Sequence, residues 1–187
     1  MNITPRLSAR LKMAVFGILF LLAQGCASVY YAPKPANCCG PNPPLFQDAY
    51  APARINSGAI WRVYIDGYDP DADMKDLYIE VSQLEGERWY KQFLPLPAGL
   101  QQHFRGYLSL RIPYFNGTST VLMKVMIRDW GGHKSPVIEQ KVEIGYAGQD
   151  ILPQRWADAA NNEIGAVHFK VRDPNAGHES LGRVYRR

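Results

Sequence analysis

Four carboxylates in the first half of the chain have a spacing that could bind a metal ion. They stand at positions 1, 3, 5 and 12 of a twelve-residue stretch and are Asp69, Asp71, Asp73 and Glu80. Carboxylate oxygens at this spacing can surround one Ca²⁺ ion, although such a loop needs glycine where this chain has Met74. The alternative is an acidic turn, since Asp and Pro are common turn residues. Two further candidate ligands are Asp66, which precedes the stretch, and Asp76, which lies within it.

Aromatic residues form a second group with possible chemistry. Trp89, Tyr90 and Trp130 could form a platform that binds a glycan or a protein, because aromatic side chains supply much of the energy at interfaces. The alternative is that Trp89 belongs to the core. Three tyrosines on outward strand faces could extend the platform, although outward tyrosines are common in strands; they are Tyr64, Tyr78 and Tyr107.

Cys38 and Cys39 are adjacent in the sequence. Thiols outside the cytoplasm tend to oxidise, so the pair can form a vicinal disulfide, bond to another chain or remain free. Adjacent cysteines match neither a zinc pair nor a C-x-x-C redox motif. We therefore expect a minor structural or crosslinking role.

Motifs for catalysis are not found in the sequence. It contains neither a G-x-S-x-G elbow nor an H-E-x-x-H motif. The four histidines lack the spacing of metal ligands and are His103, His133, His168 and His178. The sequence therefore predicts a protein that is not an enzyme and has no cofactor other than a possible Ca²⁺ ion. One alternative function is a calcium- or carbohydrate-binding adhesive module. The other is a small envelope enzyme whose site is assembled from distant residues.

The first 25 residues have the three parts of a signal sequence. Arg6, Arg10 and Lys12 precede an apolar run from Met13 to Leu22, and small residues follow. A ten-residue run is too short to span a hydrocarbon core of roughly 30 Å, but it suits the core of a signal peptide. We predict a signal peptide over residues 1–25.

Leu22-Ala23-Gln24-Gly25-Cys26 resembles the lipobox of bacterial lipoproteins, although Ala23 stands where that motif most often has Leu. The resemblance implies cleavage before Cys26, alkylation of its thiol by a diacylglyceryl group, and two or three acyl chains in all on this residue, which anchor a protein firmly. Ala27 and Ser28 follow, without the Asp that retains enteric lipoproteins on the inner membrane. The resemblance therefore favours the outer membrane over the inner one.

The charge of the mature chain argues against binding to nucleic acid. The full chain has a formal net charge of +4. Three of its 21 basic residues and none of its 17 acidic ones precede Cys26, which leaves 18 against 17. A nearly neutral protein has no general attraction for a polyanion.

Alternating apolar and polar residues predict strands after residue 55. The alternation occurs in residues 59–66, 77–82, 107–112, 121–128 and 137–144, and a further strand is expected around Trp89–Leu94. One apolar face on each strand predicts antiparallel sheets packed face to face. A glycine-containing turn from Asp129 to Ser135 joins the last two clear strands.

Residues 59–145 resemble an immunoglobulin-like domain of the fibronectin III or PKD type. The resemblance rests on two segments, Ile65-Asp66-Gly67-Tyr68-Asp69-Pro70-Asp71-Ala72-Asp73-Met74 and Met126-Ile127-Arg128-Asp129-Trp130-Gly131-Gly132-His133-Lys134-Ser135. It implies a mainly β protein with a single antiparallel sandwich, and domains of this kind are mostly binding, spacing or assembly modules. The predicted partners are the membrane, through Cys26, and an envelope protein or glycan.

The remaining segments complete the predicted organisation. Residues 26–54 contain the lipidated cysteine and a Pro-rich tether, residues 55–146 the sandwich, and residues 147–187 a short α/β extension and tail. Prolines favour an extended tether; they are Pro33, Pro35, Pro41, Pro43, Pro44 and Pro52. In the extension we predict a short helix within residues 150–162, with Trp156 and Ala160 on one face, and a strand over residues 167–171.

Overall fold

The computed structural model describes residues 32–86, 88–145 and 151–174. Cys26, the predicted signal peptide and the basic tail lie outside the described residues. The strands of the described part are β1 (Leu45–Tyr50), β2 (Arg54–Ile55), β3 (Ile60–Tyr68), β4 (Met74–Gln83), β5 (Arg88–Pro95), β6 (His103–Arg111), β7 (Ser119–Asp129), β8 (Ile138–Ile144) and β9 (Glu163–Val167). Three short 3-10 helices accompany them, Leu84–Gly86, Ala98–Leu100 and Gln154–Trp156.

The strands form two sheets. The first sheet has the order β1-β3-β6-β9 and the second has the order β2-β8-β7-β4-β5. Strand pairs are antiparallel, apart from β2 with β8 and β6 with β9, which are parallel. The chain crosses from the first sheet to the second between β1 and β2, as immunoglobulin-like sandwiches do. The predicted fold class, a mainly β immunoglobulin-like sandwich, is confirmed.

The core lies between the sheets and uses the predicted faces. Its fully buried side chains alternate along each strand, because successive strand residues point to opposite faces. They include Trp61, Val63 and Ile65 in β3, Leu77, Ile79 and Val81 in β4, and Val121, Met123, Val125 and Ile127 in β7. Burial of each of these side chains contributes about 1.5–3 kcal/mol, so the core fixes the register that positions the loops.

The sandwich begins earlier than residue 55. Leu45–Tyr50 pairs with β3 and Arg54–Ile55 pairs with β8, so two strands lie within the predicted tether. Phe46 and Ala49 pack against the core. No proline lies between Pro44 and Pro52, so residues 45–50 can pair as a strand. Earlier residues also contact the sandwich, since Ala32 is buried and the Gln101 side chain donates to the Pro33 carbonyl at 2.6 Å. Residues 32–44 therefore lie along the sandwich rather than extend away from it.

The C-terminal segment covers the outer face of the first sheet. Trp156 and Ala159 are fully buried there against Tyr64 and Tyr107. The prediction that Trp156 and Ala160 share one face of a short helix is wrong. The segment forms a 3-10 helix followed by turns, so residues three apart lie on the same face, whereas an α-helix has nearly four residues per turn. The last strand begins at Glu163, before the predicted residue 167, and pairs with β6. The extension thus completes the first sheet.

Candidate functional site

Three buried carboxylates meet at one end of the sandwich. Asp69 follows β3, Asp73 precedes β4 and Asp129 ends β7. Because β4 pairs antiparallel with β7, Met74 lies opposite Asp129 and the two loops are neighbours. One oxygen from each of the three carboxylates lies within 4.8 Å of the others. We call Asp69, Asp73 and Asp129 the acidic triad.

Backbone amides hold two members of the triad. The Asp71 N–H donates to Asp69 Oδ1 at 2.9 Å, and the Cys39 N–H donates to Asp73 Oδ2 at 2.5 Å. The second oxygens, Asp69 Oδ2 and Asp73 Oδ1, are buried and accept no hydrogen bond from the described residues. In each carboxylate, one oxygen is therefore held by a backbone amide and the other oxygen has no hydrogen-bond donor among the described residues.

Asp129 is fixed by the turn that follows it. The His133 N–H donates to Asp129 Oδ1 at 2.7 Å, and His133 Nδ1 lies 2.9 Å from Asp129 Oδ2. Gly132 has a positive φ of 96° within this turn, which a glycine adopts at low cost. The glycine-containing turn identified in the sequence therefore positions the third carboxylate.

Burial dominates the electrostatics of Asp69. Desolvation raises the pKa of Asp69 to about 6, and the hydrogen bond from the Asp71 amide opposes this rise. The Asp73 carboxyl adds to the rise, because a protonated Asp69 can donate a hydrogen bond to it and because like charges disfavour ionisation, and the charge of Asp129 adds further. Burial and two neighbouring carboxyl groups therefore all disfavour a negative charge on Asp69.

The structure separates the predicted ligands into two groups. Asp69 and Asp73 come together, whereas Asp71 and Glu80 lie outside the triad. Asp71 Oδ2 and Oδ1 accept hydrogen bonds from the Asn42 amide and side chain at 2.7 and 2.9 Å. Glu80 points outward from β4, where it accepts a hydrogen bond from the Tyr78 hydroxyl at 3.1 Å. The twelve-residue geometry fails because the strand alternation that buries Ile79 directs Glu80 to the opposite face.

The two further candidate ligands, Asp66 and Asp76, form ion pairs. Asp66 contacts Arg105 and His103. Asp76 binds Arg128 through two hydrogen bonds of 2.7 Å. Each of these two carboxylates therefore has a basic partner, which Asp69 and Asp73 lack among the described residues.

Asp129 is the member of the acidic triad that the sequence did not indicate. Its only signal was its place at the start of a glycine-containing turn, which does not reveal a contact with residues about 55 positions earlier. The contact follows from the pairing of β4 with β7. The position of Asp129 beside Asp69 and Asp73 therefore depends on the strand order, which local sequence patterns do not encode.

The three predicted aromatic residues do not share a surface. Trp89 is 67% exposed and lies opposite Ser82, whereas Trp130 follows Asp129 at the far end of the sheet. Eight residues of β4 separate these points, or roughly 25 Å at the rise of a strand. Tyr90 points to the other side of β5, where its ring centroid lies 6.5 Å from that of Phe169.

The outward tyrosines also differ from one another. Tyr64 and Tyr107 are buried beneath the C-terminal segment, so they cannot contribute to an exposed platform. Tyr78 lies on the outer face of the second sheet, with its ring centroid 5.3 Å from that of Phe93. Lys91 Nζ lies 5.1 Å from the centroid of Trp89, and the Arg128 guanidinium lies 4.3 Å from that of Phe93. We call Tyr78, Trp89, Lys91 and Phe93 the outer aromatic face.

Cys38 and Cys39 form a vicinal disulfide, which was one of the three alternatives left by the sequence. Cys39 has a positive φ of 81°, and its Sγ lies 3.5 Å from the Trp130 carbonyl oxygen. The cysteine pair therefore lies beside the acidic triad, on a segment that Asp71 and Asp73 hold through hydrogen bonds.

One groove contains residue types that occur in hydrolases. Ser109, Glu163 and His168 line a groove of about 600 Å³ beside β9. The Ser109 hydroxyl donates to Glu163, and within residues 32–86, 88–145 and 151–174 the His168 imidazole has no hydrogen bond to either side chain. A serine nucleophile requires a base that accepts its proton, with that base oriented by a third group. The described groove lacks that arrangement.

A membrane-spanning helix is not found among the described residues, since none of their helices has the length and apolar character needed to cross a bilayer. Cys26, the predicted lipidation site, lies outside this part of the chain, so its lipidation stays a prediction.

The chain matches no protein-family model and no curated protein sequence. Solved structures similar to it include a PKD domain of an M14-like peptidase from a Thermoplasmatales archaeon, with 16% identity and a TM-score of 0.38 over 56% of this chain and 97% of that one. A Niemann-Pick type C2 protein from the Japanese carpenter ant is 12% identical, with a TM-score of 0.37 over 57% and 96% of the two chains.

An adhesin from Streptococcus sanguinis is also similar, with 12% identity and a TM-score of 0.35 over 56% of this chain and 58% of that one. Likenesses at this level do not indicate a function. The assignment to the immunoglobulin-like β-sandwich class therefore rests on the strand order of the chain itself, and fold alone does not define a binding partner.

Proposed function

We propose that the chain is a lipid-anchored, non-enzymatic binding module of the bacterial cell envelope, held at the outer membrane through Cys26. The lipobox-like segment ending at Cys26 supports the anchor. The small β-sandwich supports the role of a module, since many such domains bind or brace other components. An envelope protein or a glycan is the expected partner.

The proposed binding surface rests on one observation, which is that the two outer faces of the sandwich differ in the exposure of their aromatic residues. The C-terminal segment covers the first sheet and buries Trp156, Tyr64 and Tyr107. The second sheet exposes Trp89 at 67% and Phe93 at 53%. Large aromatic side chains with this exposure lose much apolar surface to a partner, and tryptophan is enriched among the residues that dominate binding energy. The outer aromatic face is therefore our proposed contact surface.

The anchor is tested by the substitution Cys26→Ala. We expect the wild-type protein, expressed in a Gram-negative host with labelled palmitate, to incorporate label and fractionate with outer membranes. Cys26→Ala is expected to lose the label and also the signal-peptide cleavage that follows lipid attachment, because the thiol that accepts the lipid is gone. A double variant, Cys38→Ser with Cys39→Ser, is the matched control and should keep the label. Equal labelling of wild type and Cys26→Ala would refute the anchor.

The binding surface is tested by the substitutions Trp89→Ala and Phe93→Ala. Each is expected to reduce capture of an envelope protein or peptidoglycan by about tenfold or more, the effect of losing an interface residue worth roughly 1.4 kcal/mol or more. Tyr114→Ala is the matched control, since Tyr114 is 79% exposed and lies outside the outer aromatic face. Capture is measured with the full chain in detergent on isolated envelope fractions, with partners identified after crosslinking. Identical capture by all three variants and the wild type would contradict the assignment.

A further inference from the structure

We propose that the acidic triad is a Ca²⁺ site at the end of the sandwich. Asp69, Asp73 and Asp129 supply the carboxylates, and the ion would join the β3–β4 loop to the β7–β8 turn. The site is separate from the outer aromatic face, because Trp89 lies at the opposite end of β4. It also does not depend on lipidation of Cys26.

The unsatisfied oxygens give the first reason. Asp69 and Asp73 are 0% exposed, yet Asp69 Oδ2 and Asp73 Oδ1 have no hydrogen-bond partner among the described residues. Buried polar atoms in native proteins nearly always have a partner, because an unsatisfied group loses its hydration without replacement. Coordination to a cation would satisfy both oxygens together.

The surrounding charges give the second reason. His133 is the one basic side chain within the described residues that forms an ion pair or hydrogen bond with a triad carboxylate. Arg105 and Arg128 pair instead with Asp66 and Asp76. Lys75 is a further basic residue close to the triad in sequence, but its ammonium packs over the Trp130 ring, 4.7 Å from the ring centroid. Buried carboxylates are normally paired or coordinate metals, and a divalent ion would supply the missing positive charge.

The donor set favours Ca²⁺ among the common cations. Its known members are all carboxylate oxygens, which Ca²⁺ and Mg²⁺ prefer, whereas Zn²⁺ sites commonly use His and Cys. Calcium binds oxygen at about 2.3–2.6 Å, so two ligands on opposite sides of the ion are separated by roughly 5 Å. The triad oxygens all lie within 4.8 Å of one another, so they can contact one such ion together. Mg²⁺ requires distances of about 2.0–2.1 Å and keeps several waters, for which the buried triad is a poorer match.

The groups around the triad are arranged to hold the ligands in place. Amides of Asp71, Cys39 and His133 each bind one carboxylate oxygen. The His133 ring also contacts Asp129, and such outer contacts orient metal ligands and are important for affinity. Because Asp73 binds the Cys39 amide, an ion at the triad would also strengthen the attachment of the Cys38–Asn42 segment to the sandwich.

Calorimetry and thermal unfolding of the full chain in detergent test the site. After removal of divalent ions with EDTA, titration with CaCl₂ is expected to show about one ion per chain, with a dissociation constant of roughly 10⁻⁵–10⁻³ M. Saturating Ca²⁺ is expected to raise the midpoint of thermal unfolding by several degrees, because the ion binds the folded state alone. MgCl₂ at the same concentration should have a smaller effect.

Asp69→Asn and Asp129→Asn are expected to weaken Ca²⁺ binding at least tenfold, and Glu80→Gln should leave it within twofold. In EDTA, Asp69→Asn should unfold at the same temperature as the wild type or higher, since it removes a buried charge. This measurement separates lost binding from misfolding. Absence of any heat or thermal shift with millimolar CaCl₂ would overturn the proposal, as would binding that both Asn variants retain or a stronger response to Mg²⁺.

Discussion

Replacement of Trp156 by alanine is expected to lower the free energy of unfolding by about 3–5 kcal/mol, the usual cost of truncating a large buried aromatic residue. The Trp156 side chain is 0% exposed, and its ring centroid lies 5.7 Å from that of Tyr64. The Arg105 guanidinium lies 4.2 Å from the ring on another side. Loss of the indole leaves a cavity and exposes the outer face of the first sheet.

Urea denaturation monitored by circular dichroism measures this change. Trp89→Ala is the matched control, because it removes the same side chain from a position that is 67% exposed; it should change the free energy by roughly 0.5 kcal/mol or less. If Trp156→Ala unfolds within about 1 kcal/mol of the wild type, the C-terminal segment does not contribute to the fold as described.

The second large effect is expected from Arg128→Met. Asp76 is 5% exposed, and its two oxygens accept hydrogen bonds of 2.7 Å from Arg128 Nε and Nη2. Methionine keeps much of the apolar stem of the side chain but removes the guanidinium, which leaves a buried carboxylate without its counterion. Breaking a buried pair in this way costs about 3–5 kcal/mol.

Lys124→Met provides the matched control for that prediction, since it makes the same replacement of a basic residue on the same strand. Lys124 Nζ lies 3.5 Å from Glu139 Oε2, and the side chains are 43% and 55% exposed. Solvent screens such a pair, so its loss should cost less than about 1 kcal/mol. Chemical denaturation at neutral pH compares the two variants, and equal losses would show that burial of Asp76 does not determine the cost.

The sandwich could be predicted because its strands alternate clearly. In β7, Val121, Met123, Val125 and Ile127 point inward, and the residues between them point outward. The strand around Trp89–Leu94 was also predicted, although its alternation was unclear in the sequence. It lies at the edge of the second sheet, where both Trp89 and Tyr90 remain exposed, so burial imposes a weaker pattern.

The acidic triad could be predicted only in part. Asp69 and Asp73 are close in sequence, and their local spacing indicated a shared site. Asp129 joins them through the antiparallel pairing of β4 with β7, a contact that local patterns do not encode. Asp71 has the same residue type and a suitable spacing, but Asn42 occupies both of its oxygens. Composition and spacing can therefore identify an acidic loop without identifying which of its members share a site.

The edge strands of the two sheets determine how readily copies of the protein could associate through β-pairing at high concentration. β2 has two residues, and β1 carries a bulge between Phe46 and Asp48. On the other side, the Gln92 side chain of β5 binds the Ala166 carbonyl and the His168 amide, which ties β5 to the segment around β9. Short, bulged or covered strands are poor templates for intermolecular β-pairing and amyloid growth. Even at high local concentration, such edges would disfavour the growth of fibres.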